Sequence, residues 1–416
     1  ALQSAAVFLS GGERLYDSDE RSQQLVRILL RTLDTLSWIT FISAEALWMP
    51  EGTMERCVWY PFEFRLPAYE NRRTIWKNAL EGSGMSESDI ALLSAWFCFG
   101  EGQIRKVARY ATQLSNGKGP SLDDVSRACA IQSRQRLSIY ATKVSPHYRW
   151  GDIVLPEDKI RQLREICSYV RHKHIVYFQW GFEKKLALGR GLNALFSGPS
   201  GTGKTMAADI IANDLGLEMY KIDLSTVVSK YVGETEKNLS RIFRETSSGN
   251  AILFFDEADA LFGKRTEVKD AHDRYANIEI NYLLQKMEEH EGIVILATNL
   301  SKNLDEAFLR RMHFTVDFPF PDDRQRELIW RKIFPPSAPL HDDIDYVFLS
   351  ERLKIAGGNI RNIALTAALY AAEESSAIEM RHIILSSKRE LQKMGKLCVR
   401  SDFGRFYYLI EEGTGR

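Results

Sequence analysis

Cysteine is scarce in this chain. Cys57, Cys98, Cys129, Cys167 and Cys398 are five among 416 residues, scattered, with no CxxC pair and no Cys/His cluster at metal-ligand spacing. That excludes a disulfide framework and a zinc module of the usual spacing, and points to reduced thiols in a cytoplasmic setting. Long apolar runs are missing too. Nothing approaches the ~20 residues of a membrane span, and the strongest stretch, residues 251–255, has the length of a buried strand. Net charge is also absent, with 55 Lys and Arg against 55 Asp and Glu. Bulk charge therefore gives no reason to expect a nucleic-acid or membrane-surface partner. What remains is an ordinary globular composition, 44% hydrophobic and 26% charged, in a chain long enough for two or three cores.

The chain repeats itself. Phe318, Pro321, Arg326, Ile329 and Trp330 match Phe64, Pro67, Arg72, Ile75 and Trp76 at a constant offset of 254. Gly358-Asn-Ile-Arg361 matches Gly102-Gln-Ile-Arg105 at 256, residues 293–297 match 39–43 at 254, and residues 252–255 match 6–9 at 246. Four blocks in one order indicate one fold present twice. The first copy begins in the middle of the unit, with nothing upstream to supply a phosphate loop. It is expected to be N-terminally incomplete, with Ala1 not the natural start.

Between the copies, the segment from Val144 to Asp152 reads as a linker, with a proline and polar turn residues. The second copy then alternates strand (193–197), helix (204–215), strand (218–223), helix (236–247), strand (251–255), helix (276–289) and strand (293–297). That alternation predicts an α/β fold with a parallel sheet covered on both faces. Helical periodicity alone follows from 324 to 396, predicting a helical lid.

Gly198-Pro199-Ser200-Gly201-Thr202-Gly203-Lys204-Thr205 is a full GxxxxGK[ST] motif between an apolar strand and a helix. Backbone N–H groups and the helix N-terminus suit it to cradle phosphate, Lys204 to neutralise phosphate oxygens and Thr205 to ligate Mg²⁺. Downstream, an apolar strand ends in Asp256 and Glu257. There Asp256 would hold the Mg²⁺ shell and Glu257 would polarise the attacking water. The strand 293–297 runs into Thr298-Asn299, placing Asn299 to orient water or phosphate. The first copy has Ser10-Gly11 opposite Asp256-Glu257 and Glu45 opposite Asn299, so it is expected to be catalytically silent.

Together with Asp305-Glu-Ala-Phe-Leu-Arg310-Arg311, these motifs resemble an AAA+ ATPase. The resemblance implies a P-loop core with a C-terminal helical lid, preceded here by a degenerate copy. Residues 1–60 would be part of the degenerate core, 61–143 its lid, 144–319 the active core, 320–396 the active lid and 397–416 a tail. It further implies that Met206 joins the nucleotide-binding loop, Asp152 and Ile153 contact adenine, Asn299 is sensor 1 and Arg361 is sensor 2. Arg310 and Arg311 would be arginine fingers acting on a neighbouring subunit. The usual Gly-Arg-Phe-Asp step is replaced by Met312-His-Phe-Thr, so both arginines stay open as the finger, with Arg311 preferred. Lys230-Tyr231-Val232-Gly233 resembles the pore loop of protein unfoldases. The stretches around Trp180, Asn193, Arg274 and Met312 resemble tandem ATPases of phage-tail-like contractile injection systems. The expected cofactors are ATP and Mg²⁺, and the expected partner is a protein substrate gripped by a homo-oligomeric ring, six-membered in form. A nucleotide-gated scaffold and a nucleic-acid motor are the alternatives. Lys230 is the only basic residue in the loop, which disfavours the motor.

Overall fold

The computed structural model describes residues 6–12, 20–36, 39–44, 56–64, 66–115, 119–132, 141–185, 191–227, 234–246, 251–259, 271–299 and 306–412. The chain divides into two compact units, residues 1–66 and 67–416. In the first, strands β1 (Ala6–Leu9) and β2 (Ile39–Ile42) pair in parallel, joined by the helix Glu20–Leu36.

The second unit contains a six-stranded sheet of β3 (Thr142–Val144), β4 (Leu192–Ser197), β5 (Glu218–Asp223), β6 (Ala251–Asp256), β7 (Ile293–Thr298) and β8 (Phe314–Asp317). Its spatial order is β3-β5-β6-β7-β4-β8. Every residue of β4 and β7 is buried, as expected of central strands covered on both faces, where no solvent side imposes alternation. Successive side chains nevertheless point to opposite faces. Ala194, Phe196, Phe254 and Ile295 pack with Leu163, Ile166, Ile210 and Ile211 of the helices Glu157–His174 and Lys204–Leu215. Leu195, Leu253, Phe255 and Leu296 pack with Leu239, Ile242 and Leu283 of the helices Glu234–Glu245 and Ala271–Glu289.

All pairings are parallel except β3 with β5. Val144, expected in the linker, instead ends this antiparallel edge strand, opposite Met219. The predicted helical lid is four helices, Asp323–Ile333, Tyr346–Arg352, Gly357–Glu373 and Met380–Lys393, closed around fully buried Trp330. Asp322 starts the first of them with a reciprocal capping box to Gln325. Phe403 and Ile410 belong to the same core, so packing joins the segment after 396 to the lid rather than leaving it as a tail.

The internal repeat has a structural counterpart at the level of single hydrogen bonds. Ala6 faces Ile39 in the first unit and Ile252 faces Ile293 in the second, the same register under the sequence offsets. Gly12 N–H donates to Ser43 O at 2.9 Å, and its equivalent Ala258 N–H donates to Ala297 O at 3.0 Å. The helices Tyr69–Ala79 and Asp323–Ile333 begin and end at matching positions. Arg72 Nε donates to Ser94 O at 3.0 Å, as Arg326 Nε does to Ser350 O at 2.8 Å. Each guanidinium also binds the carbonyl of the proline five residues before it, Pro67 or Pro321. Trp76 and Trp330 are both fully buried. The copies differ in cover: Phe8 and Phe41 are 68% and 57% exposed, whereas their equivalents Phe254 and Ile295 are buried.

Candidate nucleotide site

The carboxyl ends of β4, β6 and β7 meet where the strand order doubles back, with β4 between β7 and β8, the place where open parallel sheets bind ligands. β4 delivers the chain into a loop that only glycine can make. Gly198, Gly201 and Gly203 have φ of 143°, 77° and 104°. A Cβ on Gly198 would lie 2.2 Å from Phe318 O. The helix begins at Lys204. Thr202 Oγ1 closes the loop onto Pro199 O at 2.8 Å. Among the described residues, the N–H groups of Gly201, Thr202 and Gly203 meet no acceptor, while Ser200, Gly201 and Thr205 are exposed and Met206 is half-buried.

Lys204 is 8% exposed. Its Nζ donates to Gly198 O at 2.6 Å, Pro199 O at 3.0 Å and Asn299 Oδ1 at 3.0 Å. Burial lowers its pKa, and the charges of Asp256 and Asp259 oppose that shift. Asn299 is held from its other side by Asp259, which accepts its backbone N–H at 2.8 Å and its Nδ2 at 2.9 Å. The Thr298 hydroxyl donates to the same carboxylate.

Asp256 closes β6. One of its oxygens accepts Glu257 N–H at 3.0 Å, and the other pairs with Lys221 Nζ at 2.7 Å. Glu257 is exposed and left-handed, with φ 52°, a conformation that costs a non-glycine residue about 1–2 kcal/mol. Its equivalent in the first unit, Gly11, has φ 80°.

Ile153 is buried against the loop: a Cβ on Gly203 would lie 3.8 Å from its Cδ1. Asp152 is turned to its own backbone, accepting Arg149 N–H at 2.7 Å. Gly358 N–H, at the start of a lid helix, donates to Gly201 O at 3.0 Å, and Lys332 Nζ binds Gly151 O at 2.6 Å. The lid thus touches both ends of the site. Arg361 is exposed three residues further along that helix. Arg311 pairs with Glu288 at 2.8 Å and is half-buried, whereas Arg310 is exposed. His313 explains the departure at 312–315. Its N–H donates to Asn193 O at 2.8 Å and its Nδ1 accepts Asn193 N–H at 3.1 Å, pinning the segment to β4. Lys230, Tyr231, Val232 and Gly233 lie outside the described residues, as do Glu45 and Asp305.

Three contributors were missed by sequence reasoning. Asp259 completes an Asp-Glu-Ala-Asp run that could have flagged it. Gly358 lay within a matched block whose glycine was not interpreted. Lys221 carries no signal, since only strand pairing brings β5 beside Asp256.

Residues 194–321 match the family profile "ATPase family associated with various cellular activities (AAA)". A protein described as "Cell division protein C" from Sulfolobus acidocaldarius is 30% identical over 285 residues, covering 64% of this chain and 71% of that protein. The chain belongs to the AAA ATPases. A "26S proteasome regulatory subunit 6B homolog" from Dictyostelium discoideum is 28% identical, covering 67% of each chain. An "ATP-dependent zinc metalloprotease FtsH" from Lachnoclostridium phytofermentans is 34% identical over 252 residues, covering 58% of this chain and 42% of that protein. This AAA ATPase thus spans between 42% and 71% of the length of these relatives. Residues 68–135 match a second profile, "Contractile injection system ATPase helical domain". The resemblance to injection-system ATPases is therefore borne out in the first copy's helices. Among the described residues of this AAA ATPase, no helix is long and apolar enough to cross a membrane.

Proposed function

We propose that this AAA ATPase couples ATP hydrolysis at Lys204, Asp256 and Glu257 to the remodelling of a protein substrate, in a homo-oligomeric ring within the cytoplasm. The observation carrying the reading is the convergence of three strand ends on one buried lysine. The residues suit a magnesium nucleotide. The N–H groups of Gly201, Thr202 and Gly203 meet no acceptor among the described residues, and Lys204 is held by neutral oxygens that a phosphate would replace. Thr205 and Asp256 would hold Mg²⁺, which supplies charge neutralisation at the phosphates. Glu257, exposed on its left-handed turn, is the base toward water, and Asn299 orients the reacting groups. Ile153, next to Gly203, is placed for adenine, and Arg361 for the phosphate side of the lid.

Arg310 and Arg311 are proposed to reach a neighbouring subunit, where Arg311 would exchange Glu288 for phosphate. On sequence grounds Tyr231, with Lys230, Val232 and Gly233, grips polypeptide by apolar contact without sequence preference. The first copy is proposed to be a silent AAA core and lid that orients the active one. It retains the strand register and the lid's arginine bonds, and has Ser10 and Gly11 where the carboxylates would be. Phosphate release measured with no addition, with a permanently unfolded protein, or with single-stranded DNA tests the reading. Stimulation by the unfolded protein is expected. Stimulation by DNA alone would sink the remodelling assignment.

A further inference from the structure

We infer that Asp259 is a positioning residue for the hydrolytic reaction. It locks the Asn299 amide so that Oδ1 faces Lys204. The inference rests on the ATPase reading above and deepens it.

The amide orientation follows from chemistry on both sides. Lys204 can only donate and an ionised Asp259 can only accept. Asn299 Oδ1 lies 3.0 Å from Lys204 Nζ, and its Nδ2 lies 2.9 Å from Asp259 Oδ2. A flipped amide would set two donors against each other at Lys204 and two acceptors against each other at Asp259. Asp259 also takes the Asn299 N–H at 2.8 Å and the Thr298 hydroxyl. One carboxylate thereby fixes the end of β7, the backbone turn after it and the side-chain plane. Thr298 is fully buried and Asp259 half-buried, so the Thr298 bond competes with water less than a surface bond does, while the two Asn299 bonds to the same carboxylate lie at the exposed mouth of the site.

The anchor is rigid as well. Ala258, between Glu257 and Asp259, is fully buried and donates its N–H to Ala297 O at 3.0 Å. The segment just past β6 is therefore tied to the last residues of β7. The same tie exists in the first unit between Gly12 and Ser43. The next position there is Glu13, a carboxylate too, although it lies outside the described residues. The tie thus occurs with and without the hydrolytic carboxylates, whereas the Asn299 clamp is found in the active copy.

The test is a reciprocal exchange. Asp259→Asn sets an amide donor against the Asn299 amide, and Asn299→Asp sets two carboxylates together. The double variant Asp259→Asn/Asn299→Asp restores donor against acceptor and keeps an acceptor oxygen toward Lys204. Each single variant is expected to lower kcat about tenfold or more, as loss of an oriented polar group does, with ATPγS affinity by calorimetry changed less than about threefold. The double variant is expected to recover about tenfold over Asn299→Asp. Urea unfolding of all four proteins should give a non-additive cycle, with the double variant more stable than the singles predict.

Wild-type kcat in Asp259→Asn would overturn the inference. So would a double variant that is no better than Asn299→Asp in both kcat and unfolding. If a single variant fails to fold, the exchange still decides, because a general structural loss is not repaired by changing a second residue. Failure of the ATPase reading looks different. The wild-type chain would then release no phosphate, and the unfolding cycle would still report the clamp.

Discussion

Gly11 and Glu257 take the same left-handed backbone conformation, with φ of 80° and 52°, at equivalent positions two residues past β1 and one residue past β6. In the first copy a glycine occupies the turn at no steric cost. In the second the position is held by the carboxylate assigned as base, at a cost of about 1–2 kcal/mol. Glu257→Gly is therefore predicted to stabilise the core by about 1 kcal/mol while abolishing hydrolysis, and Gly11→Glu to destabilise its unit by a similar amount. Urea midpoints of both variants check this. A destabilised Glu257→Gly would show that the turn is not strained.

Lys221 holds an oxygen of Asp256 that the proposed Mg²⁺ shell requires. The pair is partly solvated, with side chains 38% and 22% exposed, so it contributes no more than about 1 kcal/mol. Lys221→Met should lower the Mg²⁺ concentration that half-saturates ATPγS binding about threefold, read by calorimetry across a Mg²⁺ series. An unchanged or higher requirement would mean that Lys221 assists the metal site rather than competing with it.

His290 carries a pH dependence far from the chemistry. It is 6% exposed, stacks edge-on against Phe243, and burial pushes its pKa down to about 4. The folded chain thus keeps the ring neutral, while the unfolded chain protonates it near 6.5. Between pH 4 and 6.5 the unfolded state binds more protons, so this contribution is present above 6.5 and is lost as pH falls toward 4. The full loss is about 3 kcal/mol. His290→Phe should flatten the stability profile between pH 7 and 5 relative to wild type. Parallel profiles for the two proteins would rule out His290 as the source.

Arg72 and Arg326 make one set of bonds in two settings, and their loss should separate the copies. Replacing either with Ala removes a buried donor from two carbonyls and should cost roughly 2–3 kcal/mol. Only Arg326 lies in the lid whose Gly358 touches the phosphate loop. Arg326→Ala should therefore also weaken ATPγS binding, whereas Arg72→Ala should leave it unchanged. Equal weakening by both would argue that the first copy takes part in nucleotide binding.

Much of this was legible in the sequence, because continuous apolar runs and glycine punctuation are local signals. The helix after the phosphate loop and the strand Glu218–Asp223 fell where residue patterning put them, and β4, β6 and β7 differed by one residue at an end. Features made by distant pairing were hidden. Thr142–Val144 becomes a strand only because β5 offers an edge; in the sequence Thr142 and Lys143 read as the end of the first lid, and Val144, followed by Ser-Pro, as the start of the linker. Phe403 and Ile410 look like a short polar tail's stray apolar residues until the lid core receives them. Asp259 and Lys221 were missed as site residues for the same reason, since each acts on a residue of a neighbouring strand.

The most direct measurement of the central claim is ATP turnover and ATPγS binding in wild type, Lys204→Ala and Glu257→Gln, taken side by side. Wild type should bind one ATPγS per chain and release phosphate. Glu257→Gln should bind with near wild-type affinity and turn over at least about a hundredfold more slowly, since it keeps the phosphate contacts and loses the base. Lys204→Ala should lose binding itself. Wild-type turnover in Glu257→Gln, or undiminished binding in Lys204→Ala, would contradict the account.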